Sequence, residues 1–193
     1  MKSKLGAIAS VSMGQTFRSR LERDKDGQVR VVQMRDLTAE NTVNALTLVH
    51  ISLDSVSDHH QLQEGDIIFR SRGVTNTAAF VDQDIGLATL AAPLLRIRIT
   101  ADNLLPEYLV WYLNQPVAQA YLASHLEGTA QKKISKHVLE EMPILLPPLS
   151  TQQKIIDLAT LARREHRLRH MLADKRERYI HGVLMQMASD ESG

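Results

Sequence analysis

Pro143-Ile144-Leu145-Leu146-Pro147-Pro148-Leu149-Ser150-Thr151-Gln152-Gln153-Lys154-Ile155 divides the chain into two kinds of sequence. Ile144 to Leu146 reads as a brief apolar strand, and Pro147-Pro148 is a stiff connector with no backbone donors of its own. Ser150 and Gln153 make the capping-box pattern of a helix start, and no Gly or Pro follows until Gly182. One long helix over residues 150–188 is predicted, with 189–193 as a tail. From 151 to 188 it would measure about 57 Å, too long to pack fully on what precedes it. Leu161, Leu168, Leu172, Tyr179, Val183 and Met187 recur at intervals of seven and four, a coiled-coil-like seam interrupted by Glu165 and Lys175. Such a seam needs a partner helix.

Upstream, residues 1–149 read as one domain. The first 105 residues hold short runs of branched apolar residues between polar turns: Val29–Met34, Leu46–Ile51, Asp66–Arg70 and Leu94–Thr100. In the last run Leu95, Ile97 and Ile99 alternate with Leu94, Arg96 and Arg98, the period of a strand with one face buried and the other bordering solvent or a partner. Helices follow. Pro106 and Pro116 suit first-turn positions, and Ser135 suits the cap of a short helix through Met142 that Pro143 ends. Tyr108, Trp111 and Tyr112 read as core rather than as a base-stacking platform. The predicted class is α+β: an irregular, mostly antiparallel sheet with short helices, then a long coiled-coil helix.

Composition narrows the function. Across 193 residues there is no cysteine, which removes disulfides, thiolate zinc sites and cysteine nucleophiles and suits a reducing compartment. Residues 1–13 hold no apolar run of signal-peptide length and no stretch is long enough to span a bilayer, so the expected location is the cytoplasm without membrane attachment. The net charge of +1 does not by itself advertise a nucleic-acid partner. Its distribution is more telling: residues 1–36 carry eight Lys or Arg against four acids, and residues 128–137 carry Lys132, Lys133 and Lys136 against none.

Constellations for catalysis are missing: there is no phosphate-cradling Gly-rich loop, metalloprotease His pair or nucleophile elbow. Leu146-Pro147-Pro148-Leu149 lacks the flanking residues that amino-methyltransferases use. Glu64 and Asp66, beside Gly65, read as turn residues rather than a nuclease pair. His166 and His170 have metal-ligand spacing on one helical face but no third ligand in sequence, and read as a surface pair; His59-His60 receives no role. No catalytic or metal-binding residue is assigned. The seven Lys or Arg between Arg163 and Arg178 suit either a solvated coiled-coil face or direct DNA contact.

Three loops combine polar readers with cations. Thr16, Arg18, Ser19 and Arg20 offer hydroxyls and guanidiniums for phosphates, and Gln33 with Arg35 suits base edges. Arg70, Arg72, Thr75 and Asn76 form the second loop. The third holds Thr129, Gln131, Lys132, Lys133 and Lys136, where Gly128 permits close backbone approach and the lysines would supply a salt-dependent attraction. Each is equally readable as a solvated loop.

In order and spacing, Leu5-Gly6-Ala7-Ile8, Gly14-Gln15-Thr16-Phe17-Arg18, Val32-Gln33-Met34-Arg35-Asp36-Leu37, Gly65-Asp66-Ile67-Ile68-Phe69-Arg70, Gly128-Thr129 ahead of Ile134, and the Pro-Pro-Leu junction into Gln152-Gln153 resemble a type I restriction-modification specificity subunit. The resemblance covers one target-recognition domain and one long helix, where family members usually have two of each. It implies a non-catalytic recognition subunit for double-stranded DNA that directs an adenine methyltransferase and a restriction subunit to a split site. S-adenosylmethionine, Mg²⁺ and ATP would sit on those partners and none on this chain. With one helix, a homodimer would complete the seam through Leu161, Leu168, Leu172, Tyr179 and Val183. The alternatives are a stand-alone DNA-binding protein or a coiled-coil adaptor without a methyltransferase partner.

Overall fold

The computed structural model describes residues 1–17, 21–53, 55–57, 60–73, 75–128 and 132–190. Among these, short extended runs broken by turns, mostly apolar apart from Lys2-Ser3-Lys4, give β1 (Lys2–Lys4), β2 (Ala9–Met13), β3 (Val29–Val32), β4 (Val49–Ile51), β5 (Ile67–Arg70), β6 (Ala78–Phe80), β7 (Ala88–Leu90) and β8 (Leu94–Ile99). There follow α1 (Pro106–Leu113), α2 (Pro116–Ser124), α3 (Lys136–Glu140), β9 (Pro143–Leu145) and α4 (Leu149–Asp190). The class is α+β with a long C-terminal helix, as the sequence indicates. Two compact units result, Met1–Gln153 and a second beginning at Lys154.

Among the described residues, three small sheets build the first unit. One has the order β2-β8-β5-β6 and is antiparallel throughout; a second has the order β4-β3-β7, with β3 and β7 parallel; the third pairs β1 with β9. Val32, Leu48, Leu62, Ile68, Val81, Leu90 and Leu94 belong to one apolar cluster. Val29, Val31, Val49 and Ile51 form another, with Phe17 packed on it.

β8 departs from the sequence reading. It is an interior strand with partners on both edges, and Leu94, Leu95, Arg96 and Ile97 are all buried, so no face borders solvent along its first half. Alternation suggested an exposed arginine row, but the arginines have internal partners. Arg98 Nε and a terminal nitrogen each reach the buried Asp66 carboxylate at 2.7 Å, and Arg96 donates to Gln61 O at 2.7 Å. The hydrogen bonds to Asp66 raise the Arg98 pKa, while burial lowers that of Arg96. Glu64 is exposed while Asp66 faces Arg98, which fits the turn reading of that pair.

The helix starts follow local chemistry. Pro106 and Pro116 occupy the first turns of α1 and α2, and the Ser135 hydroxyl accepts from Val138 N at 3.3 Å at the start of α3. Tyr108 and Tyr112 are buried, and their hydroxyls donate to Leu145 O and Pro143 O at 2.9 and 3.1 Å, tying α1 to β9. α4 begins at Leu149, two residues before the Thr151 start that a Ser150 cap implies. Thr151 N and Gln152 N both bond Pro148 O, at 2.8 and 3.0 Å, so Ser150 lies inside the first turn. Gln152 is fully buried: its carbonyl accepts from Leu105 N at 2.9 Å, and its amide donates to Asn103 O and Pro147 O at 2.8 and 2.9 Å. The helix continues through Gly182 to Asp190, so the predicted tail shrinks to 191–193, outside the described residues.

Candidate nucleic-acid interface

The first and second of the loops singled out in the sequence bond to the segment that joins β7 to β8. Gly14 N donates to Leu94 O and Gln15 N to Leu90 O, at 2.9 and 2.6 Å, and Ala92 N donates back to Gln15 O at 2.9 Å. A Cβ on Gly14 would lie 2.7 Å from both Leu90 O and Ala91 C, so only glycine allows this approach. With Gln15 pinned by backbone and Phe17 by packing, Thr16 stands exposed between two fixed neighbours. Arg18, Ser19 and Arg20 lie outside the described residues.

Gln33 and Arg35 sit on a single 3₁₀ turn, Met34–Asp36, and its organiser is Asp36. That carboxylate is fully buried and accepts from Gln33 N at 2.8 Å and from the Thr47 hydroxyl at 2.9 Å. Arg35 is exposed. The Gln33 side chain is half-buried, and its amide nitrogen is enclosed without a hydrogen-bond partner among the described residues.

Arg70 joins this turn to the next loop. Its guanidinium donates to Met34 O at 3.1 Å and Leu37 O at 2.9 Å, and the Met34 Cε lies 3.5 Å from where a Cβ on Gly73 would be. Asn76 is buried, donates to Arg70 O at 2.9 Å, and has its own carbonyl bound by the Gln119 amide at 2.9 Å. A terminal nitrogen of Arg70 and the side-chain amide nitrogen of Asn76, expected to face DNA, are therefore bonded inside the protein. Arg72 and Thr75, of the same loop, are exposed.

The third loop docks on the second. The Ser71 hydroxyl donates to Pro93 O, Ile134 N donates to Ser71 O at 2.8 Å, and Arg72 pairs with Lys133 in an antiparallel bridge. Lys133 also exchanges two 2.9 Å backbone bonds with Glu127, and buried Ile134 anchors the strand-like segment. Lys132, Lys133 and Lys136 are exposed, and Lys136 also pairs with Glu140 at 3.5 Å across one helical turn. Thr129 and Gln131 lie outside the described residues. Thr16, Arg35, Arg72, Lys132 and Lys133 thus stand exposed on segments bonded to one another or to Leu90–Leu94. Sequence reasoning missed the residues that assemble them: Gly14, Asp36 and Ser71. The close spacing of Gly14 to Gln15 and of Asp36 to Arg35 was visible, but its purpose was not.

In the second unit every residue from 160 to 189 is exposed. Leu161, Leu168, Leu172, Tyr179 and Val183 are between 38% and 72% exposed, a continuous apolar stripe presented to the surroundings. Leu158, Ile180 and Met187 widen it. Nε2 of His166 lies 2.9 Å from Nε2 of His170, and no group of three possible metal ligands occurs among the described residues. No helix among them is long and apolar enough to cross a membrane.

Comparison with known proteins places these features together. Residues 1–161 match the family described as type I restriction modification DNA specificity domain. The type I restriction enzyme EcoEI specificity subunit of Escherichia coli is 28% identical over 102 residues, which cover 50% of this chain and 17% of that protein. Three solved chains share the fold over most of this one. A chain from the type I R-M system has a TM-score of 0.65 at 18% identity, covering 86% of this chain and 38% of its own length. The HsdS subunit from Thermoanaerobacter tengcongensis gives 0.62 at 18% identity, with 86% and 37% covered. The type I S subunit from M. genitalium gives 0.55 at 12% identity, with 83% and 38% covered. The chain therefore spans well under half the length of these relatives.

Proposed function

From the premise that the chain belongs to the type I restriction modification DNA specificity domain family, we propose that it recognises double-stranded DNA in a sequence-dependent way as a specificity subunit. The observation that carries this is the joining of four separate chain segments, directly or through Leu90–Leu94, by backbone and side-chain hydrogen bonds, with Thr16, Arg35, Arg72, Lys132 and Lys133 exposed on them. Cations on fixed loops hold phosphates and set register, and neighbouring polar groups on the same rigid frame can then meet base edges. Arg70 and Asn76 act from behind, holding the loops in place.

In this reading the chain performs no chemistry. It brings an adenine methyltransferase subunit and a restriction subunit to a split site in the cytoplasm, and S-adenosylmethionine, Mg²⁺ and ATP belong to those partners. The apolar stripe of α4 pairs with the same stripe of a second copy, so that two recognition units read a symmetric site. The Lys132→Ala, Lys133→Ala double variant tests the DNA reading. It should weaken binding to duplexes of every sequence and lower the slope of log affinity against log salt by about 2, since each phosphate contact contributes about 0.9. A slope equal to wild type would strike both lysines from the interface.

A further inference from the structure

α4 carries a second charged surface that the recognition loops do not use. At about 100° per residue, Arg163, Arg164, Arg167, Lys175 and Arg178 fall within an arc of about 120°, and that arc flanks the stripe of Leu161, Leu168, Leu172 and Tyr179, its centre about 100° around the helix from the stripe's. Asp174 is the one acid between Arg163 and Arg178 inside this arc, so five cations against one anion leave a local charge of +4. All six are exposed. Arg169 lies on the apolar side, where it pairs with Glu165 at 2.7 Å. On the basic face an Arg163 terminal nitrogen donates to the Thr160 hydroxyl at 3.3 Å and Arg178 Nε to Asp174 O at 3.4 Å, both within the helix.

A solvated outer helix face that serves only solubility intersperses both signs, whereas one-signed faces concentrate potential for an oppositely charged partner. Four of the five cations are arginine, whose planar fork matches a phosphate with two parallel donors. From Arg163 to Arg178 the face extends about 22 Å, and duplex DNA presents a charge about every 1.7 Å of its axis. Building on the DNA-recognition reading above, we propose that this face of α4 binds the sugar-phosphate backbone of duplex DNA, adding a sequence-independent contribution separate from the recognition loops. Pairing of the apolar stripe would border Arg164 and Lys175 and leave Arg163, Arg167 and Arg178 uncovered.

The test is fluorescence anisotropy of the full chain on a long random-sequence duplex over a series of salt concentrations. Arg164→Gln, Arg167→Gln, Arg178→Gln in one chain keeps helix propensity and solvent exposure. It should lower the salt slope by about 3, at about 0.9 per phosphate lost, and add to the loss caused by Lys132→Ala, Lys133→Ala. Arg163→Gln, Lys175→Gln probes the same face independently, with an expected drop of about 2. A wild-type slope in both variants, while the wild-type chain binds DNA, overturns the helix contact alone; that is also the outcome if the face meets an acidic protein surface. A wild-type chain that binds no duplex at any salt overturns the recognition reading and this inference with it.

Discussion

Replacing Arg70 with Met separates a strut from a phosphate contact. The guanidinium donates to Met34 O and Leu37 O at 3.1 and 2.9 Å, and methionine retains much of the apolar stem while removing both bonds. A hydrogen bond from a charged donor contributes about 1.5–3 kcal/mol, so losing two from a half-buried site should cost about 3 kcal/mol. For a unit of this size that lowers the melting temperature by roughly 6–12 °C. DNA affinity should fall as the Gln33–Asp36 turn loosens from Gly73, but its salt slope should not change, because no phosphate contact is lost. Thermal unfolding followed by circular dichroism gives the first quantity, and anisotropy titrations at several salt concentrations give the second. An exposed phosphate-binding arginine would behave oppositely, with stability within about 0.5 kcal/mol of wild type and a slope reduced by about 1. That opposite pattern would refute the assignment of Arg70 as a strut.

Other substitutions probe the frame and the helix. Gly14→Ala forces a Cβ to within 2.7 Å of Leu90 O and Ala91 C, so denaturant unfolding should show a loss of about 1–3 kcal/mol from overpacking; wild-type stability would mean the approach is not tight. Gln152→Ala strands Leu105 N, Asn103 O and Pro147 O in a buried site and should destabilise the first unit by about 3 kcal/mol, with Gln152→Glu recovering only the bond from Leu105 N. Leu168→Glu, Leu172→Glu places charges in the apolar stripe and should give a monomer with a folded first unit by light scattering. A dimer that persists in that variant would put the pairing surface elsewhere.

Much of the fold was legible because its signals are local. Pro106, Pro116 and Ser135 fix helix starts through their own backbone and side-chain chemistry, and the seam of α4 is a pattern within one helix. β8 was misjudged because Arg96 and Arg98 find Gln61 and Asp66 about thirty residues away, and nothing within the strand announces them. Strands β1, β2, β6 and β7 are three to five residues long, too short for a period to emerge; their partners define them. The candidate site shows the same limit. An arginine in a Gly-containing loop suits a phosphate or a backbone carbonyl equally well, and Arg70 meets the carbonyls because the fold sets the 33–37 turn beside it. Arg72, two residues on, stays exposed.

Selection of bound duplexes from a random-sequence pool by the purified chain tests sequence-dependent recognition most directly. The predicted result is enrichment of one short motif, occurring as two inverted copies at a fixed separation when α4 pairs two chains. A bound pool with the same sequence composition as the starting pool would contradict the account.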